Sequence, residues 1–224
     1  MVHIPDGFID LPTSAAFAAA STVAVVGAVK GARKQLSEQS APLAGLTAVF
    51  IFAVQMLNFP VAAGTSGHLI GAALAMVLVG PYAATLALVV VLIIQAFLFA
   101  DGGLTALGLS VFNMAVISVW VSFAVFVVLM KILPKSKTWV VVATFIAALV
   151  SVPAAAIGFV IQYAIGANAT FSVTTVLNAM VGTHILIGIG EAIITALTVS
   201  AVLASRSDLV FGWDKKNSTL EIRT

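Results

Sequence analysis

The sequence predicts an all-α membrane protein with about seven transmembrane helices, and composition is the first reason. Apolar residues fill 62% of the 224 positions and charged residues 8%, whereas an ordinary soluble domain is roughly 25% charged. The mean hydropathy is +1.19. Because the bilayer core contains no water, a spanning backbone must form helices or a closed barrel. The apolar runs here are long and unbroken, which favours helices.

Seven apolar segments follow one another along the chain. A helix rises about 1.5 Å per residue, so a bilayer core of about 30 Å takes roughly 20 residues. The third segment is short, and Gly80-Pro81 predicts a tight turn after it because proline cannot continue a helix without losing a hydrogen bond. Pro153 predicts a kink in the sixth segment. The seventh is long for one span, so its start, FSVTTVLNAMVGTH, is predicted to lie at the interface or to break the helix. The segments cover about residues 12–29, 41–58, 68–80, 82–100, 106–131, 138–166 and 171–204.

The positive charges predict the orientation, because all ten Lys and Arg residues follow odd-numbered segments. Cytoplasmic loops collect Lys and Arg, so we expect the N-terminus outside, the C-terminus in the cytoplasm, and a multi-pass protein of the plasma membrane. Residues 1–204 are predicted to form one transmembrane domain and residues 205–224 a polar cytoplasmic tail. The cations are Lys30, Arg33 and Lys34, then Lys131, Lys135 and Lys137, then Arg206, Lys215, Lys216 and Arg223.

The predicted outer side carries carboxylates but no Lys or Arg. Asp6, Asp10 and Asp101 fall there, and an acidic face suits a cation better than an anion. The alternative is that these are incidental surface charges. The chain has no cysteine, which leaves nitrogen and oxygen as metal ligands. Its first eleven residues lack Lys and Arg, so no conventional cleaved signal peptide is expected.

The three histidines are the candidate metal ligands. His3 lies close to the free α-amine, and the amine, an intervening backbone nitrogen and the imidazole Nδ1 can form fused chelate rings. Such an all-nitrogen plane suits Ni(II) or Cu(II). Because backbone nitrogens bind metal only when deprotonated, affinity should fall in acid. His68 is predicted at the outer mouth of the third segment, and His184 lies two helical turns before Glu191 on one face. The alternative for each histidine is a packed, hydrogen-bonded side chain.

Four sequence segments carry a family resemblance. They are HIPDGFID at 3–10, GTSGHLIGAALA at 64–75, QAFLFADGGLTALGLSVFNM at 95–114 and HILIGIGEAIITAL at 184–197. In this order, and over nearly all the chain, they resemble the CbiM/NikM family, the substrate-binding (S) membrane components of energy-coupling-factor transporters for cobalt and nickel.

The resemblance implies a metal site at the chain start. The N-terminal segment, residues 1–10, would fold back into the bundle from outside. The ligands would be the terminal amine, the next backbone nitrogen, the imidazole of that next residue, and His68. The family typically begins Met-His, whereas this chain begins with Met1, Val2 and His3. If Met1 is removed, which is the favoured reading, the amine of Val2 restores the family arrangement. If Met1 is retained, its amine, the two following amide nitrogens and the His3 ring already supply four nitrogens, and His68 is axial or competes.

Five further residues match positions of the family motifs. The resemblance implies that they orient the metal ligands or pack around them without binding the metal directly. They are Gln95, Asp101, Asn113, His184 and Glu191.

The implied function is a subunit of an ATP-driven importer of cobalt or nickel. The sequence lacks a GxxxxGK[ST] phosphate loop, so ATP hydrolysis would belong to separate ATPase subunits. The resemblance also implies two membrane partners, a coupling transmembrane (T) subunit and a small accessory subunit. Membrane lipid is expected to surround the chain. No nucleic acid is expected as a partner. A planar set of nitrogen ligands mildly favours nickel. By resemblance, the HIPDGF opening favours cobalt, which would be used in corrin synthesis.

Two other functions compete with this interpretation. One is an S component for another cation or for a vitamin, which would need a larger aromatic-lined cavity. The other is an intramembrane metal-dependent enzyme that uses His68, His184 and Glu191. A catalytic zinc needs about three protein ligands and an open position, but the sequence has no HExxH pair and these residues recur in the family segments.

Overall fold

The computed structural model describes residues 4–35, 41–56, 59–62 and 65–213. These ranges are nearly all helical. Met1, Val2 and His3, and the cations Lys215, Lys216 and Arg223, lie outside them. The elements in chain order are α1 (Leu11–Gln35), α2 (Ala41–Gln55), β1 (Phe59–Ala62), β2 (Thr65–Gly67), α3 (Ala72–Val79), α4 (Pro81–Leu98), α5 (Leu107–Val111), a π-helical turn (Phe112–Ile117), α6 (Ser118–Ile132), α7 (Lys137–Gly166), α8 (Val173–Ser205) and a 3-10 helix (Ser207–Leu209).

Each predicted apolar segment coincides with a helix, but the helices differ in their capacity to span a bilayer. In the described part of the chain, five are long and apolar enough to cross: α1, α4, the continuous run from α5 to α6, α7 and α8. Helix α2 has 15 residues and α3 has 8, fewer than the roughly 20 that a crossing takes. Seven crossings therefore remain a prediction.

The short helix α3 lies in the middle of the bundle. Its residues Ala72, Ala73, Ala75 and Val77 are completely buried. The predicted turn after α3 is present: Gly80 has a φ of +81°, which glycine adopts at little cost, and Pro81 opens α4. The chain therefore reverses tightly, and α3 and α4 pack side by side.

The segment after α8 packs against the end of α3. The N–H groups of Phe211 and Gly212 donate to the carbonyls of Leu78 (3.3 Å) and Val77 (3.1 Å). These carbonyls belong to the last turn of a helix, where no intrahelical donor is available. Val210 is buried beside them. The predicted tail is thus docked on the bundle as far as it is described, to residue 213.

Helix ends that carry Lys and Arg meet at this same end of the bundle. Gly31, near the end of α1, packs against the ring of Tyr82 at the start of α4. Lys137 Nζ, at the start of α7, donates to the carbonyl of Leu203 near the end of α8 (2.8 Å). The side of the membrane that this end faces remains the prediction made from the charges.

Of the two predictions for the start of the seventh segment, an interfacial position and a break in the helix, the structure corrects the second. Helix α8 runs without interruption for 33 residues, about 50 Å at the usual rise. Ser172 caps it, because its hydroxyl accepts from the N–H of Thr175 (3.1 Å). An uninterrupted helix longer than the bilayer core can extend into the interface, so the length of the segment did not require a break.

Helix α7 is also continuous, and Pro153 lies inside it. Proline lacks an N–H, so the carbonyl of Leu149, four residues earlier, loses its helical donor. Gly188 of α8 lies against this carbonyl, which would be 3.2 Å from a Cβ at that position. The absence of a side chain lets the two longest helices approach closely here.

A second close approach joins α1 to α5. A Cβ on Gly108 would lie 2.5 Å from the Cα of Ala18. The Ser21 hydroxyl donates to the Gly108 carbonyl (2.7 Å). The contact requires glycine because the neighbouring atoms are backbone and cannot move independently.

We therefore expect Gly108→Ala to lower the midpoint of thermal unfolding in detergent by several degrees. The forced separation of α1 and α5 should cost about 1–3 kcal/mol. Gly27→Ala is the matched control, since a Cβ at Gly27 meets nothing within 4 Å and alanine favours a helix. Equal midpoints for the two variants would contradict the close approach.

Candidate metal centre

The described chain begins at Ile4, directly after the predicted ligands Met1, Val2 and His3. Ile4 is buried, with 1% of its surface exposed. Its carbonyl accepts from the N–H of Gly103 (2.8 Å), and its own N–H lies 3.5 Å from the Ser110 hydroxyl oxygen. The residue that follows the predicted ligands is therefore fixed against the loop after α4 and against α5.

The N-terminal segment is held by the loop after α4. Asp6 Oδ1 accepts from both the N–H (2.7 Å) and the hydroxyl (2.6 Å) of Thr105. The hydrogen bond from the Thr105 hydroxyl, followed by that from its N–H, lowers the pKa of Asp6 below its ordinary value of 3.8. Gly103 packs directly against the backbone nitrogen of Asp6.

The segment is also held by the end of α7 and by the loop that follows it. The Asn168 N–H donates to the carbonyl of Phe8 (3.1 Å) and its side-chain amide to that of Gly7 (2.9 Å). The N–H of Asp10 donates to the Gly166 carbonyl (2.7 Å). The ring of Phe8 stacks on that of Phe159, with centroids 6.0 Å apart.

Asp10 starts α1. Its Oδ1 accepts from the N–H of Thr13 (2.8 Å), as a helix N-cap does. Hydrogen bonds from Thr13 also lower the pKa of Asp10. Asp6 and Asp10, predicted as part of an acidic outer face, therefore each have a structural role in anchoring the chain start.

His68 follows the short antiparallel ribbon formed by β1 and β2. The ribbon lies between the second and third predicted apolar segments, where no strand was predicted. His68 is 5% exposed, and its Nδ1 lies 2.9 Å from the carbonyl oxygen of Leu69. A carbonyl can only accept, so Nδ1 carries the proton in this contact. In the neutral imidazole Nε2 then bears the lone pair that a metal ion requires.

Asp101 and His184 lie on two different elements. Asp101 is in the loop after α4, and its N–H donates to the carbonyl of Gln95 at 3.1 Å. His184 is buried within α8, and its Nδ1 is 2.6 Å from the carbonyl of Met180, so Nδ1 again carries the proton. Over residues 4–35, 41–56, 59–62 and 65–213, no three His, Asp or Glu side chains form a group that could hold a metal ion.

The predicted motif residues Glu191 and Gln95 meet around the segment after His68. Glu191 Oε2 and Oε1 accept from the N–H groups of Ile70 (2.6 Å) and Gly71 (3.0 Å). Gln55 Nε2 donates to the carbonyl of Ile70 (2.7 Å), and Gln95 Nε2 donates to Gln55 Oε1 (2.8 Å). Glu191, Gln95 and Gln55 are all completely buried.

Asn113, the remaining motif residue, lies in the π-helical turn and pairs with Gln162 of α7. Each side-chain amide donates to the other, at 2.8 and 3.0 Å. Gln55 and Gln162 were not predicted from the sequence. The signal was present, because each is the single amide side chain of an apolar helix, and a polar side chain in a membrane is strongly unfavourable unless it is paired.

These features define a class of protein: a multi-pass α-helical protein of the plasma membrane in which residues 4–10 are held by loops at one end of the bundle. The family model for CbiM, described as the cobalt uptake substrate-specific transmembrane region, matches residues 3–209. The chain belongs to the CbiM family, as its four motif segments indicated.

Similar proteins agree with this assignment. A putative metal transport protein of Haloquadratum walsbyi is 38% identical over 212 residues, which are 94% of each chain. A putative fused nickel transport protein, NikMN, of Archaeoglobus fulgidus is 39% identical over 209 residues, 93% of this chain and 68% of the relative. A crystal structure of a truncated transition metal transporter superposes with a TM-score of 0.78 at 30% identity and covers 90% of this chain and 98% of that one. All three are named as transport proteins, which is consistent with a transporter and not an enzyme.

The contacts of the N-terminal segment predict the effect of Gly103→Ala. A Cβ at Gly103 would meet the backbone nitrogen and carboxylate of Asp6, so it should displace the segment. We expect amide hydrogens in residues 4–10 to exchange at least about tenfold faster, measured by mass spectrometry, because local opening becomes easier. Gly182→Ala is the control, since a Cβ there meets nothing within 4 Å. Unchanged exchange in Gly103→Ala would contradict the docking.

The contacts of Asp6 predict how the same exchange measurement should respond to pH. A carboxylate whose pKa is lower in the folded state stabilises that state fully above its unfolded pKa and loses this contribution as the pH falls through the folded value. The Asp6 pKa lies below 3.8, so its contacts with Thr105 should be constant between about pH 5 and pH 8. After correction for intrinsic exchange, protection of residues 4–10 should therefore not vary across this window. A loss of protection near pH 6 would show that another group controls docking.

Proposed function

We propose that this protein is the substrate-binding membrane subunit of an importer of cobalt or nickel ions. The observation that carries the proposal is the fixed position of Ile4. The three residues before it can extend only about 10 Å from it, at 3.3–3.6 Å each. The loop that binds Ile4 through Gly103 begins beside Gln95, because the N–H of Asp101 donates to the Gln95 carbonyl at 3.1 Å. The Gln95 side chain reaches Ile70, two residues after His68, through Gln55. A metal ligand set drawn from residues 1–3 and His68 is therefore compatible with the reach of the chain.

In this proposal the metal is held by nitrogen atoms. With Met1 removed, they are the amine of Val2, the backbone nitrogen and Nδ1 of His3, and Nε2 of His68. With Met1 retained, the first three residues supply four nitrogens, and His68 is axial or competes. The tautomer of His68 supports the assignment of Nε2. Both Ni(II) and Co(II) accept nitrogen ligands, and a planar set favours Ni(II) mildly.

The ligand set predicts that the free amine is essential. Acetylation of the N-terminus should abolish high-affinity binding of Ni²⁺ or Co²⁺, measured by titration calorimetry on protein whose first residue is known from N-terminal sequencing. His3→Ala and His68→Ala should each weaken binding by orders of magnitude, whereas His184→Ala, the matched control, should weaken it far less. If His3→Ala weakens metal binding and His68→Ala does not, the result supports the arrangement in which Met1 is retained.

Intact affinity after acetylation would refute the site. Because the amine, the amide and the imidazoles must be deprotonated to bind, affinity should also fall as the pH is lowered towards 5. Competition between the two ions on the same preparation decides which is preferred. A vitamin-binding S component would show no metal affinity, and a metal-dependent hydrolase would show turnover without partner proteins.

We infer further that transport is driven by ATP through partner subunits. The chain lacks a phosphate-binding loop of the GxxxxGK[ST] type. The fused relative of Archaeoglobus fulgidus extends beyond the region that this chain matches, which supports an accessory module that accompanies the metal-binding one. A coupling transmembrane subunit, a pair of ATPase subunits and a small accessory membrane subunit complete the proposed complex.

Proteoliposomes test this dependence. The chain alone should bind the metal ion without accumulating it. Accumulation should appear when the coupling subunit, the ATPases, the accessory subunit and ATP are all present. A partner ATPase whose phosphate-loop lysine is replaced by alanine is the control and should give none. ATP-dependent uptake by the chain alone would contradict the proposed division of roles.

A further inference from the structure

The segment that follows His68 is fixed from two sides at a single residue. The N–H of Ile70 donates to Glu191 of α8 at 2.6 Å, and its carbonyl accepts from Gln55 of α2 at 2.7 Å. Both backbone polar groups of a residue two positions after His68 are therefore held by side chains from different helices.

The backbone at this point needs such support. Gly71 has a φ of +78°, and the chain becomes helical only at Ala72. Ile70 and Gly71 thus lie between the ribbon and α3, where neither element supplies their N–H groups with a partner. In the interior of a membrane protein an unsatisfied group of this kind is strongly destabilising, because no water is present to pair with it. Glu191 satisfies two of them at once, because each of its two side-chain oxygens accepts from one N–H.

Glu191 is itself fixed. It is completely buried, and it lies at the N-terminus of α3, where the helix dipole favours a negative group. Gln55 is oriented by Gln95 of α4, at 2.8 Å. The hydrogen-bonded chain therefore runs from α4 through α2 to Ile70 and on to α8. A shift of any of these helices would move the backbone beside His68.

We propose that Glu191 is a positioning residue for the His68 imidazole: by holding the N–H groups of Ile70 and Gly71, it sets where His68 Nε2 meets the metal ion. This inference rests on the proposed function, in which His68 is a ligand. Groups that orient metal ligands without touching the metal typically alter affinity by 10- to 100-fold. A purely structural role for Glu191 would instead alter stability and leave the contribution of His68 intact.

Glu191→Gln is the informative substitution. It keeps the shape of the side chain but replaces one acceptor oxygen by an NH₂ donor, which faces a backbone N–H. We expect the affinity for Ni²⁺ to fall by about 10- to 100-fold. The absorption spectrum of bound Ni²⁺ should shift towards that of His68→Ala, because both changes weaken the same nitrogen ligand.

A double-mutant cycle separates positioning from general destabilisation. In the His68→Ala background, Glu191→Gln should change the remaining Ni²⁺ affinity less than about twofold, because the ligand that it positions is gone. Thr144→Val is the control; its buried hydroxyl bonds only to the carbonyl of Val140 in its own helix, at 2.7 Å, and its loss should leave affinity unchanged. If Glu191→Gln does not fold, Gln55→Met releases the other side of Ile70 and should show the same dependence on His68.

Two outcomes overturn the inference, and they differ. If His68→Ala weakens binding but Glu191→Gln has the same effect in both backgrounds, the positioning role is wrong and the ligand assignment stands. If His68→Ala leaves affinity unchanged, the ligand assignment fails and the positioning role fails with it.

Discussion

Backbone groups that are shut off from water must find partners inside the protein, and this constraint governs the region around His68. The chain enters the bundle as a ribbon, turns through Gly71 and becomes helical only at Ala72. Glu191 and Gln55 take the place of helical partners at Ile70. His68 therefore lies on a non-helical segment whose backbone, two residues further along, is held by side chains of α2 and α8.

The same constraint applies to the N-terminal segment from Ile4 to Asp10, of which Ile4 and Ile9 are buried. These residues form no helix, yet their backbone groups pair with Gly103 and Asn168 on two loops and with Gly166 at the end of α7. Asp6 adds contacts with Thr105, and Phe8 packs against Phe159. At the buried residue Ile4, the carbonyl pairs with the N–H of Gly103 on the loop after α4. A free amine that meets a metal ion inside the protein would depend on this arrangement.

The polar residues of the helices show the limits of sequence-based prediction. Glu191, Gln95 and Asn113 were identified because they lie in motif segments, and all three are buried and paired with other elements. Gln55 and Gln162 lie outside those segments and were missed, although each is the partner of a motif residue. A sequence shows that a buried amide must have a partner but does not show which one, since Gln55 and Gln95 are forty positions apart.

The sequence by itself determined that the protein is helical and membrane-embedded, and it located the helices closely. It could do so because hydropathy and proline effects act within about twenty residues. Only the tertiary structure decided that α3 is a short buried helix, that α8 is continuous, and that Glu191 holds the backbone 121 residues before it. The reason is physical: the choice among hydrogen-bond partners depends on which helices pack together, and that is settled by the shapes of many side chains at once.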